Sequence, residues 1–274
     1  MIIPVILDTC TIINLLRIDE DKFLYNLLIK LDINICQQVY HEAYHTINQK
    51  EFTESQKDYI NPLIPTFAKY IRDIDDNFKE KYIGNISSFC SYHKENGELY
   101  STLLSLYLCR ENGCRVYFYT DDYPAKETFS NYFSFQQIGT IGDTVDLLLF
   151  LYWGNTDFKW ERLKKYLRDL YSEFATPIKT LFNKVSENKE HWIHKSPRDQ
   201  MLYDNLHKLE IGLKDVNFDE LNAGIEFFHT NKDKYKEICN LLATYSNLKS
   251  DAGVAKKLHN IINYTRTHTI YKRM

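Results

Sequence analysis

Apolar and polar positions follow two rhythms along this chain, and the change from one to the other divides it. Ile2 to Leu7 is a nearly unbroken apolar run, which reads as a strand buried on both faces, the habit of a central parallel strand. It ends at Asp8, and Thr11 to Leu16 then takes helical spacing, so Asp8 sits at a strand-to-helix turn. A second strand is predicted at Ile33 to Cys36, leading into a helix from near Val39. Residues 54 to 93 read as two or three helices, with Pro62 and Pro65 marking a bend. Leu99 to Cys109 is apolar almost all round, as in a buried helix, and Asn112-Gly113 stops it. The cleanest strand, Val116 to Tyr119, ends at Thr120-Asp121-Asp122, with Pro124 just inside the next helix. The pattern then predicts a short strand at Phe133 to Gln137, a tight loop at Ile138 to Gly142 and a helix at Asp143 to Tyr152. From Asp157 onward only amphipathic helical segments remain, at about 157–171, 176–188, 198–210, 218–229, 231–246 and 252–264. The expectation is an α/β domain with a mostly parallel sheet over 1–153, followed by an all-helical domain over 154–274.

Composition supports the division. Nine glycines and six prolines in 274 residues are roughly half of ordinary usage, which favours long helices with tight connections. The net charge of −3 excludes a polycation that coats nucleic acid, but it conceals an asymmetry. Residues 1–153 carry 13 Lys and Arg against 21 Asp and Glu, a net −8, while 154–274 carry 21 against 16, a net +5. Halves of opposite sign suggest different tasks. The N-terminal apolar run lacks a basic flank and is broken by Asp8, and Leu147 to Trp153 is far below the roughly 20 residues that cross a bilayer. The expectation is a cytosolic protein with no membrane partner. Six cysteines without a CxxC pair or regular spacing point to reduced thiols, buried at Cys10, Cys36 and Cys109.

Candidate chemistry lies in the acids at the ends of these elements, because the usable crevice of a parallel sheet is outside the carboxyl ends of its strands. Asp8 closes the first strand, Glu42 follows the second by about two helical turns, Glu98 opens the apolar helix behind Asn96-Gly97, and Asp121 with Asp122 closes the strand 116–119. Two carboxylates about 4 Å apart repel by roughly 4 kcal/mol at an effective dielectric of about 20. Stability alone gives no reason to gather four of them. A divalent cation does, and Mg²⁺ or Mn²⁺ prefers all-oxygen ligands.

The ordered series VILDTCTIINLL, ICQQVYHEAYHTI, NGELYSTLLSLYL, VYFYTDDYPAKETF and IGTIGDTVDLLLFLY resembles that of PIN-domain nucleases over residues 1 to about 153. The resemblance implies a PIN-like three-layer α/β/α domain in which Asp8, Glu42, Glu98 and Asp122 are the catalytic metal ligands, with Asp121 adjacent and contributing. It implies Mg²⁺ or Mn²⁺ as cofactor, metal-activated water as nucleophile and single-stranded RNA as substrate. Thr9 and Thr120 are expected to orient water or a ligand carboxylate. Cys10 departs from the small polar residue more usual after Asp-Thr. A toxin or defence effector, an RNA-processing role, an antitoxin or regulatory protein partner and a homodimer are all compatible with the resemblance, and simple PIN toxins are much shorter than this chain.

Singly, Asp8, Asp122 and Asp143 also fit helix N-caps. His41-Glu42-Ala43-Tyr44-His45 satisfies H-E-x-x-H, which as a zinc site would make a metalloprotease, but it leaves Asp8, Glu98 and Asp121-Asp122 without a role. A PIN-like fold kept only as a scaffold is the third reading. His191 and His194 lack accompanying ligands. Lys164, Lys165 and Arg168 lie among Phe158, Trp160, Tyr166, Tyr171 and Phe174, either as a nucleic-acid-binding face or as an ordinary amphipathic helix with its aromatics in the core. Ser250 to Leu258 faintly resembles a helix-turn-helix segment.

Overall fold

The computed structural model describes residues 3–47, 52–245 and 247–270. In chain order the elements begin β1 (Pro4–Leu7), α1 (Thr9–Ile18), α2 (Phe23–Leu28), β2 (Asp32–Asn34), α3 (Gln37–Ile47) and α4 (Glu54–Ile60). A 3₁₀ segment Ile64–Tyr70 precedes α5 (Asp76–Cys90), α6 (Gly97–Asn112), β3 (Val116–Tyr119), α7 (Tyr123–Gln136), β4 (Gly139–Gly142) and α8 (Thr144–Gly154). The helices α9 (Trp160–Lys195), α10 (Gln200–Lys214), α11 (Phe218–Thr230), α12 (Lys236–Ala243) and α13 (Leu248–Thr267) follow. The chain is thus a mixed α/β region with a four-stranded sheet and then a helical region.

All four strands are parallel, in the order β2-β1-β3-β4. The all-apolar β1 is buried throughout because it has a strand on each side and helices above it. From β1 the chain goes first to β2 on one side and later to β3 on the other. The carboxyl ends of β1 and β3 therefore border the point where the winding reverses, the usual site of a crevice. The ladder runs one residue past the strands: Asp8 N donates to Tyr119 O and Thr120 N to Gly142 O, both at 3.0 Å. Helix α6 packs on β1 and β3 and also on α3 and α5, which explains why most of its residues are buried, Ser101, Thr102 and Ser105 included. Asn96 caps its start, and Gly113 at φ +61° ends it.

Three local expectations change. The strand expected at Phe133–Gln137 is the end of α7: Phe129 and Phe133, four apart, are both buried, and Phe133 stacks on Phe118 of β3. Gln137 then stops the helix at φ +54°. The loop expected at Ile138–Gly142 is instead the edge strand β4, paired with β3 from Val116↔Gly139 to Tyr119↔Gly142. Gly139 sits at φ +157°, and a Cβ there would lie 1.8 Å from Val116 O, so only glycine lets the strands approach. The expected break between 171 and 176 does not occur. Helix α9 continues through Pro177 because Leu163, Leu167, Leu170, Phe174, Ile178, Leu181 and Val185 keep helical spacing across it and are all buried. Burying seven such side chains far outweighs the roughly 3 kcal/mol cost of an internal proline.

The chain divides into two compact units between Tyr166 and Leu167, inside α9, rather than at 153/154. Phe158, fully buried, packs edge-on against Phe23, Tyr152 and Tyr166, which binds the first turns of α9 into the first unit. In the second unit, α10 and α11 approach closely where Gly212 meets the backbone of Leu221. All six cysteines are free; Cys36 and Cys109 are buried and Cys10 is half-buried. Among the described residues no helix is long and apolar enough to cross a membrane.

Candidate metal centre

The five acids singled out in the sequence lie where the topology turns over. Asp8 leaves β1 as the N-cap residue of α1, yet its carboxylate makes no cap bond. Its Oδ2 instead accepts from the Cys10 thiol at 3.0 Å and from the Thr120 hydroxyl at 2.9 Å. Its Oδ1 is buried with no partner. Glu42 is turned inward from α3, with Oε2 accepting from the Thr9 hydroxyl at 3.0 Å and Oε1 from the Gly97 amide at 3.1 Å. A Cβ at position 97 would stand 2.8 Å from Glu42 Oε2, so the absence of a side chain there lets this carboxylate in. Glu98, the next residue, opens α6, and its Oε2 is buried with no partner.

Asp122 and Asp121 are adjacent in sequence and differ in their partners. Asp122 caps α7, its Oδ1 accepting from Ala125 N at 2.9 Å, while its own amide donates to Thr120 Oγ1 at 3.1 Å. Asp121 is buried, and both of its oxygens have donors: Oδ1 accepts from Thr144 N at 2.8 Å, and Oδ2 from Asn14 Nδ2 at 2.8 Å and from the Thr144 hydroxyl. It ties β3's exit to α1 and to the first turn of α8. Asp143 caps α8 in a reciprocal box with Asp146 and pairs with Lys126 at 2.9 Å.

Electrostatics joins Asp8, Glu42, Glu98 and Asp122 into one group. Burial, reinforced by the charge of Glu42, pushes the Asp8 carboxyl up to about 6 despite the donors from Cys10 and Thr120. Burial pushes Glu98 up to about 7, with Asp8, Asp122 and Glu42 all adding repulsion. Asp121 is also raised, again chiefly by burial. Among the described residues no three His, Cys, Asp or Glu side chains are drawn into a formed coordination group. The four acids share a neighbourhood and repel one another across it. Two buried oxygens without donors, Asp8 Oδ1 and Glu98 Oε2, are the chemistry a hard divalent cation would satisfy, and all-oxygen donors suit Mg²⁺ or Mn²⁺.

The remaining candidates lie elsewhere. His41 and His45 are exposed on α3 while Glu42 faces inward, and His41 pairs with Gln37 at 2.7 Å. His191 lies 3.8 Å from Glu237. Of the expected nucleic-acid face, Lys164 pairs with Glu161 at 2.8 Å and Lys165 with Glu20 at 2.6 Å. Arg162 beside them pairs with Asp21 and covers the Phe23 ring. Arg168 is exposed and falls beyond the division at 166/167. Phe158, Tyr166 and Phe174 are buried and serve cores, while Trp160 and Tyr171 are half-buried.

Sequence reasoning missed Asn14, Thr144 and the thiol of Cys10 as supports of the acids. Their partners are up to 111 positions away in the chain, and only the register of β1 and β4 against β3 brings them together. No family model, curated protein or solved structure matches the chain.

Proposed function

We propose that this protein is a divalent-metal-dependent endoribonuclease of the PIN-like type that cleaves single-stranded RNA. The observation that carries the reading is the pair of buried, donorless oxygens, Asp8 Oδ1 and Glu98 Oε2, within a group of four mutually repelling carboxylates at the carboxyl ends of adjacent parallel strands. Asp8, Glu42, Glu98 and Asp122 would hold Mg²⁺ or Mn²⁺. Such a cation, when bound, activates water and neutralises charge developing on a phosphodiester.

The protein's own contribution is placement. Thr120 and Cys10 fix one oxygen of Asp8 and leave the other available. Thr9 and the Gly97 amide hold Glu42 by both oxygens at an inward angle. Asp121 locks the loop that carries Asp122 through Asn14 and Thr144, as a supporting residue behind the ligands. In the hydrolysis, water oxygen bonds to phosphorus, the phosphorus bond to the departing nucleoside oxygen breaks, and that oxygen takes a proton.

The test is cleavage of a fluorescent single-stranded RNA by the purified chain with Mn²⁺, with chelator and with Asp8→Asn. Cleavage lost in the last two supports the reading. A chain that neither cleaves RNA nor binds Mn²⁺ by calorimetry is instead a scaffold.

A further inference from the structure

We propose that the Tyr92 hydroxyl, steadied by the side-chain amide of Asn96, donates a hydrogen bond to a non-bridging oxygen of the scissile phosphodiester. The proposal rests on the reading of the acid cluster as a nuclease metal centre and names a protein group that meets the substrate there.

Tyr92 is fixed from three directions. Helix α5 ends with Ser91 at φ +50°, and the Tyr92 amide donates back to Ser87 O at 2.9 Å, which sets the direction of the backbone. The Tyr92 ring packs edge-on against the fully buried Phe129 of α7, with centroids 5.0 Å apart. Its hydroxyl meets the Asn96 amide, accepting from Nδ2 at 2.8 Å and reaching Oδ1 at 3.1 Å. Asn96 is itself held as the cap of α6, next to Gly97, whose amide holds Glu42, and two residues before Glu98. Asp122 opens the helix that carries Phe129. The hydroxyl is thus bracketed by the elements that bear the acids, and the charges of Glu98, Asp122 and Asp8 all act on it.

This donor differs from its neighbours in that no carboxylate uses it. The Thr9 hydroxyl and the Gly97 amide are bound to Glu42, the Thr120 hydroxyl and the Cys10 thiol to Asp8, and the Asn14 amide to Asp121. Among the described residues, the side chains of Tyr92 and Asn96 bond only each other and the Leu99 amide. While it accepts from Asn96 Nδ2, the phenol can turn its own proton from Oδ1 to a substrate, and Oδ1 keeps the Leu99 amide. A phosphodiester entering a group of four carboxylates needs donors for the oxygens that a cation does not cover. A lysine or arginine there would be captured by the acids, as Lys126, one turn into α7, is captured by Asp143 at 2.9 Å. A neutral phenol escapes that capture. Burial, reinforced by the charges of the same acids, raises its pKa, so it keeps its proton. Tyr92 is half-buried and so within reach of a ligand.

The experiment compares the full chain with Tyr92→Phe, which deletes the hydroxyl and keeps the ring on Phe129, in Mn²⁺-dependent cleavage of a fluorescent single-stranded RNA. One donor aimed at charge that grows in the transition state is worth roughly 100-fold or more in kcat. A loss of about that size is expected in kcat, with KM, Mn²⁺ affinity and the thermal melt matching the parent. The second readout is an RNA with a single phosphorothioate at the mapped cleavage position, as separate Rp and Sp isomers. Sulfur is a weak acceptor, so the difference between parent and variant should vanish on one isomer and persist on the other. An unchanged kcat in Tyr92→Phe overturns the proposal and leaves the nuclease standing. A loss of the same size on both isomers also overturns it, because the hydroxyl then acts through the fold and not on the phosphate. A parent chain that cleaves no RNA in Mn²⁺ overturns the nuclease reading, and the proposal with it.

Discussion

The Cys10 thiol donates to Asp8 Oδ2 at 3.0 Å while its sulfur accepts from the Asp121 amide at 3.1 Å, so one small side chain joins the end of β1 to the end of β3. With Thr120 on the same oxygen, it fixes which face of the Asp8 carboxylate is free. Cys10→Ser retains a donor and an acceptor and should leave Mn²⁺ affinity within about twofold. Cys10→Ala removes both bonds; loss of the one to Asp8, worth about 1 kcal/mol net, should weaken affinity roughly fivefold by calorimetry. Equal affinities for the two variants would show that this thiol does not position the carboxylate.

The acid cluster makes stability depend on pH with a definite sign. Asp8 and Glu98 titrate near 6 and near 7 in the fold, against ordinary values of 3.8 and 4.5. Between about pH 4 and pH 7 the folded chain therefore holds protons that the unfolded chain has released, and stability falls as pH rises through that window. In chelator, Asp8→Asn should be more stable than the parent at pH 8, by about 1 to 3 kcal/mol, and no more stable at pH 4. Added Mn²⁺ should raise the melting temperature of the parent at pH 8 and not that of the variant. Urea melts that give the reverse order at pH 8 would contradict the buried, charged state of Asp8.

Gly97 isolates the placement of Glu42 from its chemistry. Alanine is a good helix residue and the backbone there has no positive φ, so Gly97→Ala should change folding stability by less than about 1 kcal/mol. Its Cβ would meet Glu42 Oε2 at 2.8 Å and displace the carboxylate. RNA cleavage should fall at least tenfold through kcat. An unchanged kcat would mean that Glu42 acts from elsewhere.

Asp121 and Asp122 should separate cleanly. Asp121→Ala strands the Thr144 amide and hydroxyl and the Asn14 amide, and burial without partners should cost about 2 to 4 kcal/mol in urea denaturation. Asp122→Ala loses a helix cap worth about 1 kcal/mol and should abolish cleavage. A mildly destabilised, inactive Asp121→Ala would instead make Asp121 a ligand.

The exposed histidines of α3 give the last contrast. His41→Ala with His45→Ala should leave cleavage and metal content unchanged, since both rings face solvent while Glu42 faces inward. Loss of a bound zinc ion in this folded variant would restore the H-E-x-x-H reading.

The sequence alone determined the elements whose signal is local. The apolar run into Asp8, the Val116–Tyr119 strand, the helix closed by Gly113 and the cap residues Asp122 and Asp143 are set by neighbours within a few positions. It also marked the acids, because carboxylates at strand ends are conspicuous in an apolar setting. Long-range pairing decided the rest. Gly139–Gly142 has the composition of a loop and becomes a strand only because β3 offers it a free edge. The expected break between 171 and 176 does not form, because apolar positions keep one helical face through it and on past Pro177. Asp121 and Asp122 are indistinguishable as letters. Only the packing of α1 and α8 against the end of β3 gives one of them donors on both oxygens and leaves the other as the half-buried cap of α7.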